Sequence, residues 1–246
     1  MHTYLSNSEP IPEFVTVRVL VEAVKLGKNN AAVTLSEIAK SAGTTLAFAR
    51  RILEDHIGNW DEKATMDSST RFKLSVRAVR LGALQQVARA LTWQEFESFT
   101  EECLQTTGFY TQKGVIVTDD FRRWQIDVIA KKGRMVLAID CKHWESPAYE
   151  SRLRRAGEHQ KLALRALLNK MIAKGERENE VLLALPIILT LFEPRARIMD
   201  GVVAVSVEQF ADLLQGLSPY SSELPFMLPE HEAKSSICQR VDDGPD

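Results

Sequence analysis

Apolar positions recur at two different spacings along the chain, and the change of spacing divides it into two regions. Between residues 12 and 90 they lie three and four apart, as Ala23 and Val24 do from Leu20, which predicts a mostly helical region. Residues 91–217 alternate amphipathic stretches with short apolar runs, which predicts a mixed α/β fold. The periodicity is lost after residue 217, so a mobile acidic tail is expected over residues 218–246.

A helix-turn-helix is predicted near the start of the first region. Thr34 is suited to the N-cap of a short helix, and Glu37 three residues later completes the capping-box pattern. Gly43 is suited to the left-handed position that ends this helix. A second helix is predicted from Thr45 to about His56. Two short helices joined by a glycine turn form a helix-turn-helix.

Residues 10–90 resemble the winged-helix family in this helix-turn-helix. A short hairpin over residues 57–75 would be the wing, followed by a helix from Ser75 to about Ala90. The resemblance implies a domain that binds DNA. The residues expected to contact phosphates or bases are Thr45, Arg50 and Arg51 on the second helix and Arg71 and Lys73 near the wing. A purely structural or dimerisation role is the open alternative.

The second region is predicted to form a mixed sheet flanked by helices, in the order α-β-β-β-α-β-β-α. The predicted helices cover residues 92–107, 148–174 and 207–214, and the predicted strands cover 110–117, 124–130, 135–141, 181–191 and 202–205. Residues 181–191 are almost wholly apolar, which is typical of a strand that is buried on both faces. Pro186 is expected to break or bulge this strand near its middle.

Three polar side chains interrupt the apolar strands of this region. If Lys132 and Gly133 form a two-residue hairpin loop, residue 127 pairs with residue 138. Asp127, Asp140 and Lys142 then share one face, because side chains alternate along a strand. Two acids and a lysine therefore lie where apolar side chains would be the default.

This combination suits the hydrolysis of a phosphodiester. Carboxylates are hard oxygen ligands for Mg²⁺ or Mn²⁺, and such an ion lowers the pKa of a bound water. A lysine beside the ion can orient that water and offset anionic charge. The alternative is a surface ion pair between Asp140 and Lys142, which is common and of little energetic consequence.

These residues resemble the motif of the PD-(D/E)XK nuclease superfamily, which has the restriction-endonuclease-like fold. The similarity is greatest to Mrr-type restriction endonucleases and archaeal Holliday-junction resolvases, although Ile126 replaces the motif's proline. The resemblance implies metal ligation by Glu97 on the preceding helix, by Asp127 and Asp140, and by the backbone carbonyl of Cys141. It implies that Lys142 is the catalytic lysine and that Gln160 lies near the site.

Basic residues around the motif indicate a nucleic-acid surface. The candidates for phosphate contacts are Arg122, Arg123, Arg152 and Arg155. The net charge is only −2, so bulk charge alone is not expected to hold DNA. The 3 cysteines have no CxxC spacing, and no apolar run reaches 18 residues. A cytoplasmic protein with no membrane partner is therefore expected.

The sequence thus predicts a metal-dependent DNA endonuclease with a winged-helix domain at 10–90 and a nuclease domain at 91–217. Mg²⁺ or Mn²⁺ is the expected cofactor and DNA the expected partner. The chain could act as a homodimer. Two alternatives stay open: a structure-specific nuclease similar to the Holliday-junction resolvases, and a DNA-binding regulator with an inactive nuclease fold.

Overall fold

The computed structural model of the protein describes residues 10–28, 31–119, 122–144, 150–173 and 182–229. The chain folds as two compact units, Met1–Thr92 and Trp93–Asp246. No helix among the described residues is long and apolar enough to span a membrane.

The described part of the N-terminal unit consists of helices around one small antiparallel sheet. The elements are α1 (Glu13–Leu26), β1 (Ala32–Thr34), α2 (Leu35–Ala42), α3 (Leu46–Ile57), β2 (Lys63–Thr65), α4 (Ser68–Arg80) and α5 (Leu84–Ala90). Strand β1 pairs with β2 in antiparallel register. The core is formed by the inner faces of the helices, including Leu20, Leu35, Ile38 and Leu53.

Helices α2 and α3 form the predicted helix-turn-helix. The Thr34 hydroxyl accepts the Glu37 N–H at 3.2 Å, and the Glu37 carboxylate accepts the Thr34 N–H at 2.8 Å, so the capping box is confirmed. Gly43 ends α2 with φ +61°, a conformation that costs glycine no Cβ clash. Helix α2 is therefore fixed at both ends by local sequence.

The predicted wing hairpin at residues 57–75 is wrong, because β2 pairs with β1 and its successor is a helix. Asp67 caps α4 by accepting the Thr70 N–H at 2.7 Å, so the helix begins at Ser68. The helix predicted from Ser75 to Ala90 is two helices, α4 and α5. Arg71 and Lys73 accordingly lie on α4. The winged-helix resemblance stays a prediction, which now depends on the helix-turn-helix and the β1–β2 pair.

The described part of the C-terminal unit contains a six-stranded mixed sheet flanked by helices, which confirms the predicted fold class. The elements are α6 (Trp93–Thr106), β3 (Tyr110–Thr118), β4 (Arg123–Lys132), β5 (Met135–Lys142), α7 (Glu150–Ala173), β6 (Leu183–Thr190), β7 (Ile198–Met199), β8 (Val202–Ser206) and α8 (Val207–Gly216). The strand order is β3-β4-β5-β6-β8-β7. The first three strands are antiparallel, β5, β6 and β8 are parallel, and β7 is a short edge strand that the sequence analysis missed.

Helices α6 and α7 cover opposite faces of the sheet. Thr100 on α6 contacts Cys141, whereas Leu164 on α7 packs in one apolar cluster with Ala138. Residues 138 and 141 have opposite parity on β5, so the two helices lie on different faces. Four of the five leucines of α7 are buried, and the fifth, Leu162, is exposed.

Strand β6 runs through Pro186 without interruption, so the predicted break or bulge is wrong. Its register with β5 is constant from Met135↔Leu183 to Lys142↔Thr190. Ala184 exchanges backbone hydrogen bonds with Met227, and β8 begins to pair at Ile187. Pro186 lies between Met227 and the start of β8 along this edge of β6. Among the described residues no strand pairs with this edge of β6 at that point, so the missing N–H of proline costs no hydrogen bond of the sheet.

The expected tail from residue 218 is only partly within the described residues, and residues 230–246 lie outside them. Residues 218–229 pack against the unit, since Met227 forms an antiparallel bridge with Ala184 and also contacts the cluster under α7. The prediction of a mobile tail is therefore wrong for residues 218–229.

Candidate active site

The hairpin of β4 and β5 positions the three motif side chains. Lys132 pairs with Met135, so the turn residues are Gly133 and Arg134 and the predicted loop is wrong by one position. Gly133 has φ +55°, which suits the first central position of a tight hairpin turn. The pairing moves by two residues, from 127↔138 toward 127↔140, and a shift of two leaves every side chain on its predicted face.

The β4–β5 ladder ends just before the motif acids. Val128↔Ile139 is its last backbone pair, and the next donor on β5, the Cys141 N–H, bonds to the Asp127 carboxylate at 2.8 Å. A side-chain oxygen thus replaces a backbone acceptor. This hydrogen bond fixes the orientation of the Asp127 side chain next to Asp140.

Asp140 and Lys142 form a close, partly buried pair on β5. The Lys142 ammonium donates to the Asp140 carboxylate at 2.7 Å, and their side chains are 28% and 10% exposed, respectively. A surface ion pair, the alternative interpretation of the sequence, would leave both groups in water. Here the carboxylate is instead largely shielded from solvent, and a second carboxylate, Asp127, approaches it within hydrogen-bonding range.

Burial and neighbouring carboxylates raise the pKa values of two of the acids. Burial and then the negative charge of Asp140 raise the pKa of Asp127 to about 6, against the opposing effects of the Cys141 N–H and Lys142. Burial and then the charge of Asp127 raise the pKa of Glu97 to about 7. Glu97 on α6 therefore belongs to the same electrostatic cluster as the two acids on the sheet.

Carboxylate ligands for a cation are present, but they do not form a complete coordination shell. Among the residues that the structure describes, no three His, Cys, Asp or Glu side chains form a closed metal-binding group. The carboxylates that come nearest to forming such a group are those of Asp127 and Asp140, and Asp127 is close enough to Glu97 to raise its pKa. Two carboxylates completed by waters are a usual Mg²⁺ environment, because this ion retains much of its hydration.

The helix on the motif's other face contributes groups that the sequence analysis did not single out. Thr100 is fully buried on α6, donates to the Phe96 carbonyl at 2.8 Å and lies 3.6 Å from the Cys141 sulfur. Phe96 in turn packs edge-on against the His143 ring, with centroids 5.7 Å apart. These contacts hold the end of β5 against α6. A threonine inside the α6 apolar stripe was the available sequence signal.

Helix α7 places two further polar side chains at the sheet. Gln160 is fully buried, and neither amide atom has a hydrogen-bond partner among the described residues. His159 packs edge-on against Trp124 at 5.1 Å, and burial followed by the charges of Arg122 and Lys142 lowers its pKa. His159 was missed because its position depends on how α7 is rotated over the sheet, which sequence spacing alone does not specify.

Two of the predicted phosphate contacts are arginines stacked on tryptophans. The Arg122 guanidinium lies 3.6 Å from the centre of Trp124, and that of Arg152 lies 4.1 Å from Trp144. Stacking restricts the side chain yet leaves the guanidinium donors free to bind an anion. The other two, Arg123 and Arg155, are exposed on β4 and α7.

The residues of the N-terminal unit that were predicted to contact DNA differ in their exposure and in their hydrogen bonds. Thr45 uses its hydroxyl to cap α3 at the Phe48 N–H, and Arg50 bonds the Trp60 carbonyl at 3.4 Å. Arg51 is half-buried and Lys73 is exposed. The prediction for Arg71 is wrong: its side chain is only 2% exposed, so it is inaccessible to DNA.

Removing one of the carboxyls whose pKa is raised is expected to stabilise the metal-free protein at neutral pH. A raised pKa means that the folded state resists ionisation, so wild-type stability falls as the pH rises from about 4 through 6. Asp127→Asn keeps an acceptor for the Cys141 N–H and abolishes that cost. In EDTA at pH 8 we expect a gain of about 1 kcal/mol, reduced from the full shift for partial exposure.

Urea unfolding across pH 4 to 8 measures this effect. The gain should shrink toward zero as the pH falls to 4, where the folded carboxyl is protonated and the unfolded one is about half protonated. Glu158→Gln, which removes an exposed acid of α7, is the matched control and should change stability by less than about 0.5 kcal/mol. If Asp127→Asn raised the free energy of unfolding equally at all pH values, the raised pKa of Asp127 would be contradicted.

Residues 88–168 match the protein family Mrr_cat, described as "Restriction endonuclease". This span covers about a third of the chain and includes Glu97, Asp127, Asp140, Lys142 and Gln160. The match supports the assignment of this region to the restriction-endonuclease-like nucleases of the PD-(D/E)XK type.

Individual proteins give a more distant likeness. An uncharacterized protein of Archaeoglobus fulgidus is 27% identical over 138 residues, which is 56% of this chain and all of that protein. The crystal structure of AF1548, a protein of unknown function, is 17% identical with a TM-score of 0.27 over 50% of this chain and 55% of that one.

The small subunit of the heterodimeric restriction endonuclease R.BspD6I is 15% identical with a TM-score of 0.33, over 59% of this chain and 78% of that subunit. The chain thus spans about half the length of the first of these structures. Similarity at this level carries no inference about activity, which has to be argued from the site itself.

Proposed function

We propose that the chain is a metal-dependent DNA endonuclease of the restriction-endonuclease-like, Mrr type. The observation that carries the proposal is the convergence of Asp127, Asp140 and Lys142 at the point where the β4–β5 ladder opens. The family match over the same strands supports the reaction class.

The residues present fit a divalent cation. Asp127 and Asp140 approach one another within hydrogen-bonding range, and such a pair is repulsive unless a proton or a cation lies between the oxygens. Asp127, Asp140, the Cys141 carbonyl and, from α6, Glu97 would hold the ion. Mg²⁺ or Mn²⁺ bound there would neutralise phosphate charge and lower the pKa of a water.

The chain's own residues account for the remaining requirements of hydrolysis. The Lys142 ammonium is held at the site by Asp140, where it can donate to the attacking water or to a phosphate oxygen. Arg122 and Arg152, each stacked on a tryptophan, present fixed donors to flanking phosphates. The buried amide of Gln160 has no hydrogen-bond partner among the described residues, so a bound water or ligand would stabilise it.

A cleavage assay tests this proposal. Supercoiled plasmid and a synthetic four-way junction are incubated with the full chain in Mg²⁺, Mn²⁺, Ca²⁺ or EDTA. We expect plasmid cleavage with Mg²⁺ or Mn²⁺ and none with EDTA, since the two carboxylates alone supply no electrophile.

The same assay separates the alternatives. Preferential cutting of the junction would replace the restriction-like assignment by a resolvase-like one. If DNA is bound but neither substrate is cut with any metal, the endonuclease proposal fails and a DNA-binding regulator with an inactive nuclease fold takes its place.

A further inference from the structure

Helix α4 carries a row of exposed cations that neither the helix-turn-helix nor the nuclease motif includes. Lys73, Arg77 and Arg80 are all exposed and lie at positions i, i+4 and i+7. This spacing places them on one face of a helix, over about 10 Å of its length. We name these three residues the α4 basic row.

Within α4 and its caps, the one acidic residue is the N-cap Asp67, whose negative charge interacts with Lys73 at the start of the row. From Ser68 to Gln94 the sequence contains 5 Lys or Arg residues and no Asp or Glu. One of the five, Arg71, is buried, and the other four are exposed. An unbalanced cationic face of this kind creates a positive potential that attracts polyanions.

The buried face of α4 fixes the direction in which the row points. Arg71 donates from Nε to the Val24 carbonyl and from Nη2 to the Ala90 carbonyl, both at 3.1 Å. Leu74 and Ala78 are also fully buried on that face. Because α4 cannot rotate without breaking these contacts, the basic row is held outward.

Helix α3, the expected recognition helix, offers a less favourable surface for DNA. Arg50 already bonds the Trp60 carbonyl and lies 3.8 Å from Glu54. Glu54 and Asp55 are exposed near the C-terminal end of α3, so the cations and acids of this helix offset one another. The charge distribution therefore favours α4 over α3 as the phosphate-binding element.

The chemistry of the row also favours nucleic acid over a lipid surface. A membrane-binding helix presents large apolar side chains beside its cations. Among the described residues of this unit, the large hydrophobic side chains that are exposed are Phe14 and Leu46, which lie on other helices. The apolar residues beside the α4 row, Phe72, Val76 and Val79, are half-buried, so they are not the exposed anchors that insertion into a membrane requires.

We propose that the α4 basic row binds the phosphate backbone of duplex DNA, independently of base sequence. The choice of DNA rests on the proposed nuclease function, while the row itself is argued from α4 alone. Lysine and arginine side chains of this length reach phosphates across a groove edge, and such contacts position a protein without specifying sequence. The N-terminal unit would thereby hold duplex DNA for the nuclease unit.

The test is DNA binding by the full chain in EDTA, so that it does not depend on cleavage. Fluorescence anisotropy is measured on a labelled 30-base-pair duplex for wild type and for Lys73→Gln/Arg77→Gln/Arg80→Gln over a series of salt concentrations. We expect at least about tenfold weaker binding at low salt, and a slope of log K against log salt that is smaller by about two to three.

A matched triple variant controls for net charge. Lys25→Gln/Lys28→Gln/Lys40→Gln removes three exposed cations from other helices of the same unit or from their ends, and it should retain most of the affinity. Arg77→Lys/Arg80→Lys keeps the charge of the row and should bind as the wild type does. Thermal unfolding of each variant shows that the unit is folded.

Equal losses in the two triple variants would overturn the assignment to α4, as would an unchanged affinity in the row variant. If Arg50→Gln/Arg51→Gln on α3 weakens binding more than the row variant does, the recognition helix is the main contact and the proposal fails. Loss of binding in the row variant from a protein that cleaves no substrate would support the row and refute only the nuclease.

Discussion

Lys142→Ala is expected to reduce metal-dependent cleavage of plasmid DNA by at least about 100-fold. The ammonium donates at 2.7 Å to Asp140, which is one of the proposed metal ligands on β5. Preorganised charge in a partly dehydrated site typically contributes two to three orders of magnitude to a rate, and alanine supplies none of it. Single-turnover cleavage in Mg²⁺ at saturating enzyme measures the chemical step.

Two further variants separate catalysis from folding. Asp140→Asn keeps the side-chain shape and should lose cleavage to a similar degree, because the amide neither ligates Mg²⁺ well nor holds the lysine as an ion pair. Lys170→Ala removes an exposed lysine of α7 and should cleave as the wild type does. Cleavage by Lys142→Ala within threefold of wild type, with equal DNA binding, would refute the site.

Arg71→Ala is expected to unfold the N-terminal unit locally while the C-terminal unit stays intact. The guanidinium is one of the largest fully buried groups of the chain and bonds the Val24 and Ala90 carbonyls. Alanine would leave both carbonyls unpaired beside a cavity, at a cost of at least about 3 kcal/mol. That is a large fraction of the stability of a domain of this size.

Hydrogen exchange followed by mass spectrometry resolves the two units by their peptides. Peptides from α1, α4 and α5 should exchange about 100-fold faster in Arg71→Ala, whereas those from β4 to β6 should not change. Lys73→Ala, two residues further along α4 on its exposed face, is the matched control and should leave exchange unaltered. Equal protection in both variants would show that the buried arginine contributes little.

The face of the sheet that carries the candidate site could be predicted from sequence even though the register could not. Alternation along β4 and β5 depends only on parity, so an error of two residues left Asp127, Asp140 and Lys142 together. What decided the true register was the turn, where Gly133 adopts a positive φ at the first central position. The charged motif does not reveal whether Gly133 is the first or the second central residue of the turn.

Tertiary context explains where the sequence analysis was wrong. Arg71 looked like a surface cation, because nothing in its neighbourhood reveals that two distant carbonyls, those of Val24 and Ala90, need a donor. Pro186 looked like a strand breaker, because its tolerance depends on the gap between Met227 and β8 at one edge of β6. Likewise, His159 reaches Trp124 only through the packing of α7.

The hydrogen bond from the Cys141 amide to Asp127 limits how position 127 can change over evolutionary time. The carboxylate completes the sheet ladder, so any replacement must keep an acceptor one methylene from the backbone. Asparagine meets that condition, whereas glutamate, despite its charge, is one methylene too long to take the same place. A lineage that loses the nuclease can therefore drift to asparagine here without disturbing the sheet, and Glu97, which lies on a helix, is under no such constraint.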